Sequence, residues 1–178
     1  MYFTVGIGKP IDIGFSQHIY MTISLDIAKE RILEIYQKID TNSKYYGRLL
    51  NWYKTGVWHY GIGISNNLVF DTASLKLFNR ADLDIRLVPN VQIFTPSETI
   101  DRLCSAILCF HTWDYGLLGW NCEHLARLVA TDKAISYEVK KLPFPLPQLN
   151  NDGWHPQARR LLNEYRESYC DWFARIVA

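Results

Sequence analysis

The sequence predicts an α+β fold, in which an antiparallel sheet of about four to six strands packs against a helix that begins near Cys122. Residues 56–64 and 68–73 are rich in β-branched and aromatic side chains, which is typical of paired strands. Ser65-Asn66-Asn67 joins them, and asparagine suits the positive φ of a tight hairpin turn. The helix is indicated by Asn121, a favourable N-cap residue, followed by apolar residues at helical spacing.

Further elements are predicted on both sides of this hairpin. Residues 26–39 place their apolar side chains on one helical face, and Asp40-Thr41-Asn42-Ser43 ends that helix. Thr95, with Pro96 and Glu98 after it, has the pattern of a capping box, so a second helix should run from there to about residue 111. Strands are expected over residues 18–25 and within residues 84–94, whereas residues 45–52 fit either a strand or a helix.

The length of 178 residues is enough for one domain with a sizeable core. Prolines cluster between Lys140 and Pro156, which predicts an extended linker, and an amphipathic pattern follows it. The predicted organisation is a single domain over residues 1–142 (core 55–140, N-terminal extension 1–54), a proline-rich linker over 143–156 and a C-terminal amphipathic helix over 157–178.

Composition excludes several functional classes. Basic and acidic residues number 19 and 18, for a net charge of +1, which argues against nucleic acid as a partner. The N-terminus lacks the pattern of a signal peptide, and no apolar run approaches the roughly 18 residues of a membrane span. Four cysteines without an export signal indicate reduced thiols and a cytoplasmic protein.

Cys122 is the candidate nucleophile. If Asn121 caps the helix, Cys122 lies in the first turn, where the positive end of the helix dipole favours a thiolate. The backbone N–H of Cys122 is then a candidate oxyanion donor, because helix N-termini present amides without helical partners. Asn121 and Tyr115 are candidates to line the substrate or oxyanion site, and for Tyr115 a packing role is an equally strong alternative.

A cysteine nucleophile needs a base, and His59 is the candidate. It lies in the middle of the first hairpin strand, beside Gly61, and glycine in a strand often marks close approach by a backbone or a ligand. Asp71, on the partner strand, is the candidate third residue that would orient the His59 ring. Its alternatives are a cap of the hairpin or an ion pair with an arginine.

Three motifs occur in order: His59-Tyr60-Gly61-Ile62, then Leu68-Val69-Phe70-Asp71, then Asn121-Cys122-Glu123-His124. Together they resemble the lecithin retinol acyltransferase-like family, which belongs to the permuted papain-like proteins of the NlpC-type superfamily. The resemblance covers about residues 55 to 140. It implies a permuted papain-like fold with Cys122 as nucleophile and His59 as base.

The chain departs from the family pattern at three points. Asp71 stands where family members usually carry a second histidine. No Gly-Asp dipeptide precedes the histidine strand, and the C-terminal membrane helix of several animal members is replaced by an amphipathic helix. That helix could contact a membrane surface, although its acidic residues make packing on protein the stronger expectation.

The resemblance predicts a cysteine-dependent acyltransferase or hydrolase that acts on lipid acyl esters and needs no cofactor. A cysteine peptidase or amidase of the same fold is the first alternative, and a catalytically idle binding module is the second. Cys122 could also be a buried structural thiol. A zinc site is not expected, because the cysteine and histidine spacings match no standard ligand pattern. His124, two positions after Cys122, is predicted to be structural.

Overall fold

The computed structural model describes residues 23–54, 56–81, 83–89, 91–112, 120–141 and 164–165. These residues form a five-stranded sheet in which all the paired strands are antiparallel, together with several helices. The predicted α+β class and the predicted antiparallel sheet are therefore confirmed.

The sheet is built mainly from strands that are neighbours in sequence. Its order is β4-β3-β2-β1-β5, so β1 to β4 form a meander and β5 adds to the free edge of β1. The bounds are β1 Leu49–Lys54, β2 Val57–Gly63, β3 Leu68–Asp71, β4 Lys76–Asn79 and β5 Arg86–Leu87. The predicted hairpin is β2 and β3, and Ile62 lies opposite Phe70 in it.

Each helix begins directly after a residue whose side chain caps it. Thr95 accepts a hydrogen bond from the backbone of Glu98, and the Glu98 carboxylate accepts one from the backbone of Thr95, so the predicted capping box is confirmed. The bounds are α1 Leu25–Lys38, α2 Pro96–Phe110, α3 Cys122–Thr131 and the single turn α4 Tyr137–Lys140. None of the helices in the described part of the chain has the length and apolar character needed to cross a membrane.

The two faces of the sheet have separate cores. The larger core lies on the face that carries the helices, where Tyr60, Ile62 and Phe70 of the sheet pack with side chains of α1, α2 and α3. All ten residues of α3 are buried, so it is the central helix of this layer. A smaller core on the opposite face consists of Leu50, Trp52, Val69 and Ile85.

The strand glycines are sites of close backbone approach. A Cβ atom on Gly63 would lie 2.0 Å from the carbonyl oxygen of Tyr45, and one on Gly61 would lie 2.3 Å from that of Phe70. Both distances are too short for any side chain. Glycine at these two positions of β2 therefore allows the neighbouring backbone to pack closely against the strand.

Two strand predictions differ from the structure. The Ser24 hydroxyl accepts a hydrogen bond from the backbone of Ile27 and caps α1, so Leu25 is helical rather than the end of a strand. Within residues 84–94 only Arg86–Leu87 is a strand. The remaining predictions for residues 1–22 and for the linker lie outside the described residues, and of the predicted C-terminal helix only residues 164–165 are described.

Candidate active site

Cys122 is the first residue of α3, and Asn121 is its N-cap, as predicted. The Asn121 Oδ1 atom accepts hydrogen bonds from the backbone of Glu123 at 3.0 Å and of His124 at 3.2 Å. The cap is buried, because only 5% of Asn121 and 4% of Cys122 are exposed. Cys122 therefore lies at the positive end of a helix that water does not screen well.

His124 completes this cap from the other direction. Its Nδ1 atom accepts the backbone N–H of Asn121 at 3.2 Å, which makes a capping box with histidine in the position usually held by Glu or Gln. The ring also stacks on Trp120, with centroids 5.7 Å apart. These contacts agree with the structural role predicted for His124.

The start of α3 is anchored to the backbone of the sheet. The Thr72 hydroxyl lies 2.8 Å from the carbonyl oxygen of Cys122 and 2.9 Å from that of Tyr60, and its single proton can be donated to one of them at a time. The Cys122 Sγ atom lies 3.9 Å from the carbonyl oxygen of Trp58. A thiol can donate to that carbonyl, whereas a thiolate would be repelled by it.

The sheet stands between Cys122 and His59. Side chains alternate along β2, and Tyr60 packs in the core that contains α3. His59 therefore projects from the opposite face, where its ring stacks on Trp52 with centroids 5.7 Å apart. The structure brings the Cys122 sulfur to the backbone of β2 but not to the imidazole of His59.

Asp71 lies on the same face as His59 but bonds within its own turn. Its carboxylate accepts hydrogen bonds from the backbone of Ala73 and Ser74 and from the Ser74 hydroxyl, so it caps the turn between β3 and β4 rather than the turn of the predicted hairpin. The Nε2 atom of His59 is buried and has no hydrogen-bond partner in the described residues. The two side chains line a cavity of about 160 Å³ with Trp52, Lys54, Phe78 and Leu83. The orienting role of Asp71 stays a prediction.

A buried polar network that the sequence interpretation missed surrounds the cap. The Glu123 carboxylate accepts from Arg127 Nε at 2.7 Å, from the Ser136 hydroxyl at 2.8 Å and from the backbone of Glu138 at 3.1 Å. The Asn121 amide donates to the same Ser136 hydroxyl at 3.3 Å. The i, i+4 spacing of Glu123 and Arg127 was the available signal. The network ties α4 to the start of α3.

The polar network lowers the pKa of Glu123, whereas burial in the core raises the pKa of two cysteine thiols. Burial alone would raise the pKa of Glu123, but hydrogen bonds from the Glu138 backbone, Arg127 and Ser136 outweigh it and hold this pKa below its usual range. Burial raises the pKa of the Cys104 and Cys109 thiols to about 12. Those two cysteines are therefore protonated and unreactive at neutral pH.

Of the other predicted site residues, Tyr115 lies outside the described part of the chain. Within the described residues, no group of three or more His, Cys, Asp or Glu side chains is placed to hold a metal ion. No family model, no curated protein and no solved structure matches this chain.

Proposed function

We propose that this chain is a cysteine-dependent acyl-transfer enzyme with a permuted papain-like fold and with Cys122 as its nucleophile. The observation that carries the proposal is the position of Cys122 at the first residue of a buried helix whose N-cap side chain, Asn121, accepts two of its backbone N–H groups. The helix end lowers the free energy of a thiolate there, and Cys122 follows the motif strands in the order that the resemblance requires. Lipid acyl esters are the substrate class implied by the resemblance.

The proposed chemistry has two steps. The Cys122 thiolate attacks an ester or amide carbonyl, and the leaving alcohol or amine departs with the proton taken from the thiol. Water or an acceptor amine or alcohol then attacks the thioester and restores the thiol. The backbone N–H of Cys122 is the candidate oxyanion donor, because Cys122 is the first residue of α3 and lies at the positive end of the helix.

The base is a separate part of the proposal. His59 is the base by resemblance, and in the described arrangement the sheet separates its ring from the Cys122 sulfur. A base role for His59 thus requires the side chain to reach the other face of β2. The variant His59→Asn tests it: loss of acylation with unchanged folding supports the role, and unchanged acylation assigns the proton to another group.

The rate of alkylation tests directly whether Cys122 is a reactive thiol. We expect iodoacetamide at pH 6.5 to modify Cys122 well before Cys104 and Cys109, because the helix end favours a thiolate at Cys122 and burial raises the pKa of the other two thiols to about 12. Mass spectrometry of the peptides locates the label, and Cys122→Ser is the control. Equal and slow labelling of these cysteines would exclude an activated thiol.

Intact-mass measurement identifies the substrate class. Incubation with phospholipid should add one acyl group to the protein, and Cys122→Ser should abolish the addition. Cleavage of peptide esters without any acylation by lipid would instead favour the cysteine peptidase or amidase alternative.

The separation of His59 from Cys122 favours a second candidate, a catalytically idle module of the same fold. A module needs neither a deprotonated thiol nor an accessible base, and Cys122 is almost fully buried. Slow alkylation of Cys122 together with no acyl adduct from either substrate class would establish this candidate over the enzyme.

A further inference from the structure

A second pocket lies along the outer side of α3. It has a volume of about 250 Å³. Its lining residues come from α3, from α4 and from residues 91–93 and 133–135: Val91, Ile93, Arg127, Thr131, Lys133, Ile135 and Tyr137. The backbone N–H of Ile93 donates to the carbonyl oxygen of Ala130 at 3.1 Å, which fixes one wall to the helix. Cys122 is at the opposite end of the helix, so this pocket is separate from the proposed nucleophile.

The polar end of the pocket is the guanidinium group of Arg127. Its side chain is only 9% exposed, and its Nε atom donates to Glu123 at 2.7 Å. Neither Nη atom has an acceptor among the described residues, and neither is completely shielded from solvent. Arg127 thus presents unused N–H donors from a nearly buried position, where an acceptor would gain more than at the surface.

The charges around the pocket favour an anion. Lys133 lies at its rim and is exposed, and Lys140 is 5.2 Å from the ring of Tyr137. The carboxylates nearby already have cationic partners, Arg127 for Glu123 and Lys141 for Glu138. Lys133 and Lys140 are therefore the excess positive charge of this region.

The C-terminus of α3 would oppose an anion if its carbonyl groups were open. Arg102 prevents this, because its guanidinium donates to the carbonyl oxygens of Leu128 and Val129 at 3.0 and 2.9 Å. The same guanidinium pairs with Asp132 at 2.7 Å. Arg102 thereby offsets the negative end of the α3 dipole.

The other walls of the pocket are apolar. Val91, Ile93 and Ile135 line the pocket together with Tyr137, whose ring centroid lies 4.5 Å from the guanidinium carbon of Arg127. Ile93 is 67% exposed and Tyr137 is 47% exposed, so a bound apolar group would remove both from water. A basic end beside apolar walls matches an amphiphilic ligand.

We propose that this pocket binds a small amphiphilic oxyanion, namely a carboxylate or phosphate monoester with a short apolar chain. The oxyanion accepts hydrogen bonds from the Arg127 Nη atoms and pairs with Lys133, while the chain covers Ile93 and Tyr137. The volume is below the roughly 300 Å³ at which drug-sized pockets begin, which restricts the chain to a few carbons. The site does not depend on the chemistry of Cys122.

Ligand-observed NMR titration of the full chain tests the proposal with hexanoate and hexyl phosphate as probes. We expect saturable binding of at least one of them, and binding at least about tenfold weaker for hexanol, hexyltrimethylammonium and inorganic phosphate. The oxyanion that binds with the higher affinity identifies the preferred head group. Equal binding of hexanol and both oxyanions would reduce the site to an apolar groove and overturn the proposal.

Charge reversal provides the matched variants. Lys133→Glu should weaken binding by about tenfold or more, whereas Lys29→Glu, the same change on the exposed side of α1, should alter it by less than about twofold. Arg127→Lys keeps the charge beside Glu123 but removes the planar fork, so binding should also fall. Equal losses from Lys133→Glu and Lys29→Glu would show a nonspecific charge effect, and no loss from Lys133→Glu would contradict the site.

Discussion

The N-termini of α2 and α3 use the same reciprocal hydrogen bonds in opposite surroundings. At α2, Thr95 and Glu98 form an exposed capping box with a charged carboxylate. At α3, Asn121 and His124 form a buried one with an imidazole, and the acid has moved one position earlier, to Glu123. A buried carboxylate needs full compensation, and at Glu123 it receives Arg127, Ser136 and a backbone amide.

The comparison teaches that a cap can serve two purposes. The α2 cap is exposed, so water can reach the backbone groups that are left when the capping side chain is removed and can satisfy part of their hydrogen bonding. The α3 cap satisfies backbone amides that water does not reach, because Glu123 and His124 are only 1% and 2% exposed. The α3 cap should therefore tolerate less change than the α2 cap, and the following variants measure the difference.

The largest effect is expected from Glu123→Gln. It leaves Arg127 as a nearly buried cation without a carboxylate, which costs about 3–5 kcal/mol in the free energy of unfolding. Urea unfolding followed by circular dichroism measures the loss. Glu98→Gln at the exposed cap of α2 is the matched control, and it should lose far less. Similar losses for the two variants would mean that burial does not distinguish the caps.

Removal of the N-cap side chains should give an intermediate effect. Asn121→Ala leaves the buried amides of Glu123 and His124 without an acceptor, so we expect a loss of about 3 kcal/mol. Thr95→Ala should cost about 1 kcal/mol, because water reaches the exposed amide. Asn121→Ser keeps an acceptor and should recover part of the stability. A loss for Thr95→Ala equal to that for Asn121→Ala would contradict the comparison.

The smallest effect concerns pH. The pKa of Glu123 is lowered in the folded protein, so its stabilising contribution is present above the unfolded value of about 4.3 and is lost as pH falls through the folded value. Between pH 7 and pH 3 the wild-type protein should lose stability, and Glu123→Gln should lose less over the same range. Parallel curves for the two proteins would show that Glu123 does not titrate with folding.

Local signals predicted the elements that begin with capping residues or turn at asparagines. Thr95 and Asn121 marked the starts of α2 and α3, and Asn66-Asn67 marked the β2–β3 hairpin. Strand β4 was not predicted, because Lys76–Asn79 is a short edge strand with no buried alternation. Strand β1 stayed ambiguous, since Leu49 and Leu50 are buried on opposite faces of the sheet.

The candidate site was predictable only in part. Asn121, as an N-cap residue, predicted that Cys122 lies in the first turn of α3, because a cap and the turn it starts are adjacent in sequence. Alternation along β2 also requires that His59 and Tyr60 point to opposite faces. Which of those faces α3 covers is a tertiary choice, made by the packing of Tyr60 and the apolar residues of α3, and no local pattern encodes it.

The meander described above also bears on the order of folding. Strands β1 to β4 pair with their neighbours in sequence, so their contacts close short loops, whereas α3 reaches the sheet across about 60 residues, as in the contact of Cys122 with Trp58. The sheet is therefore expected to form before α3 docks on it. A newly made chain would therefore bring Cys122 to the backbone of β2 only in that last step, so the candidate nucleophile reaches its position after the sheet has formed.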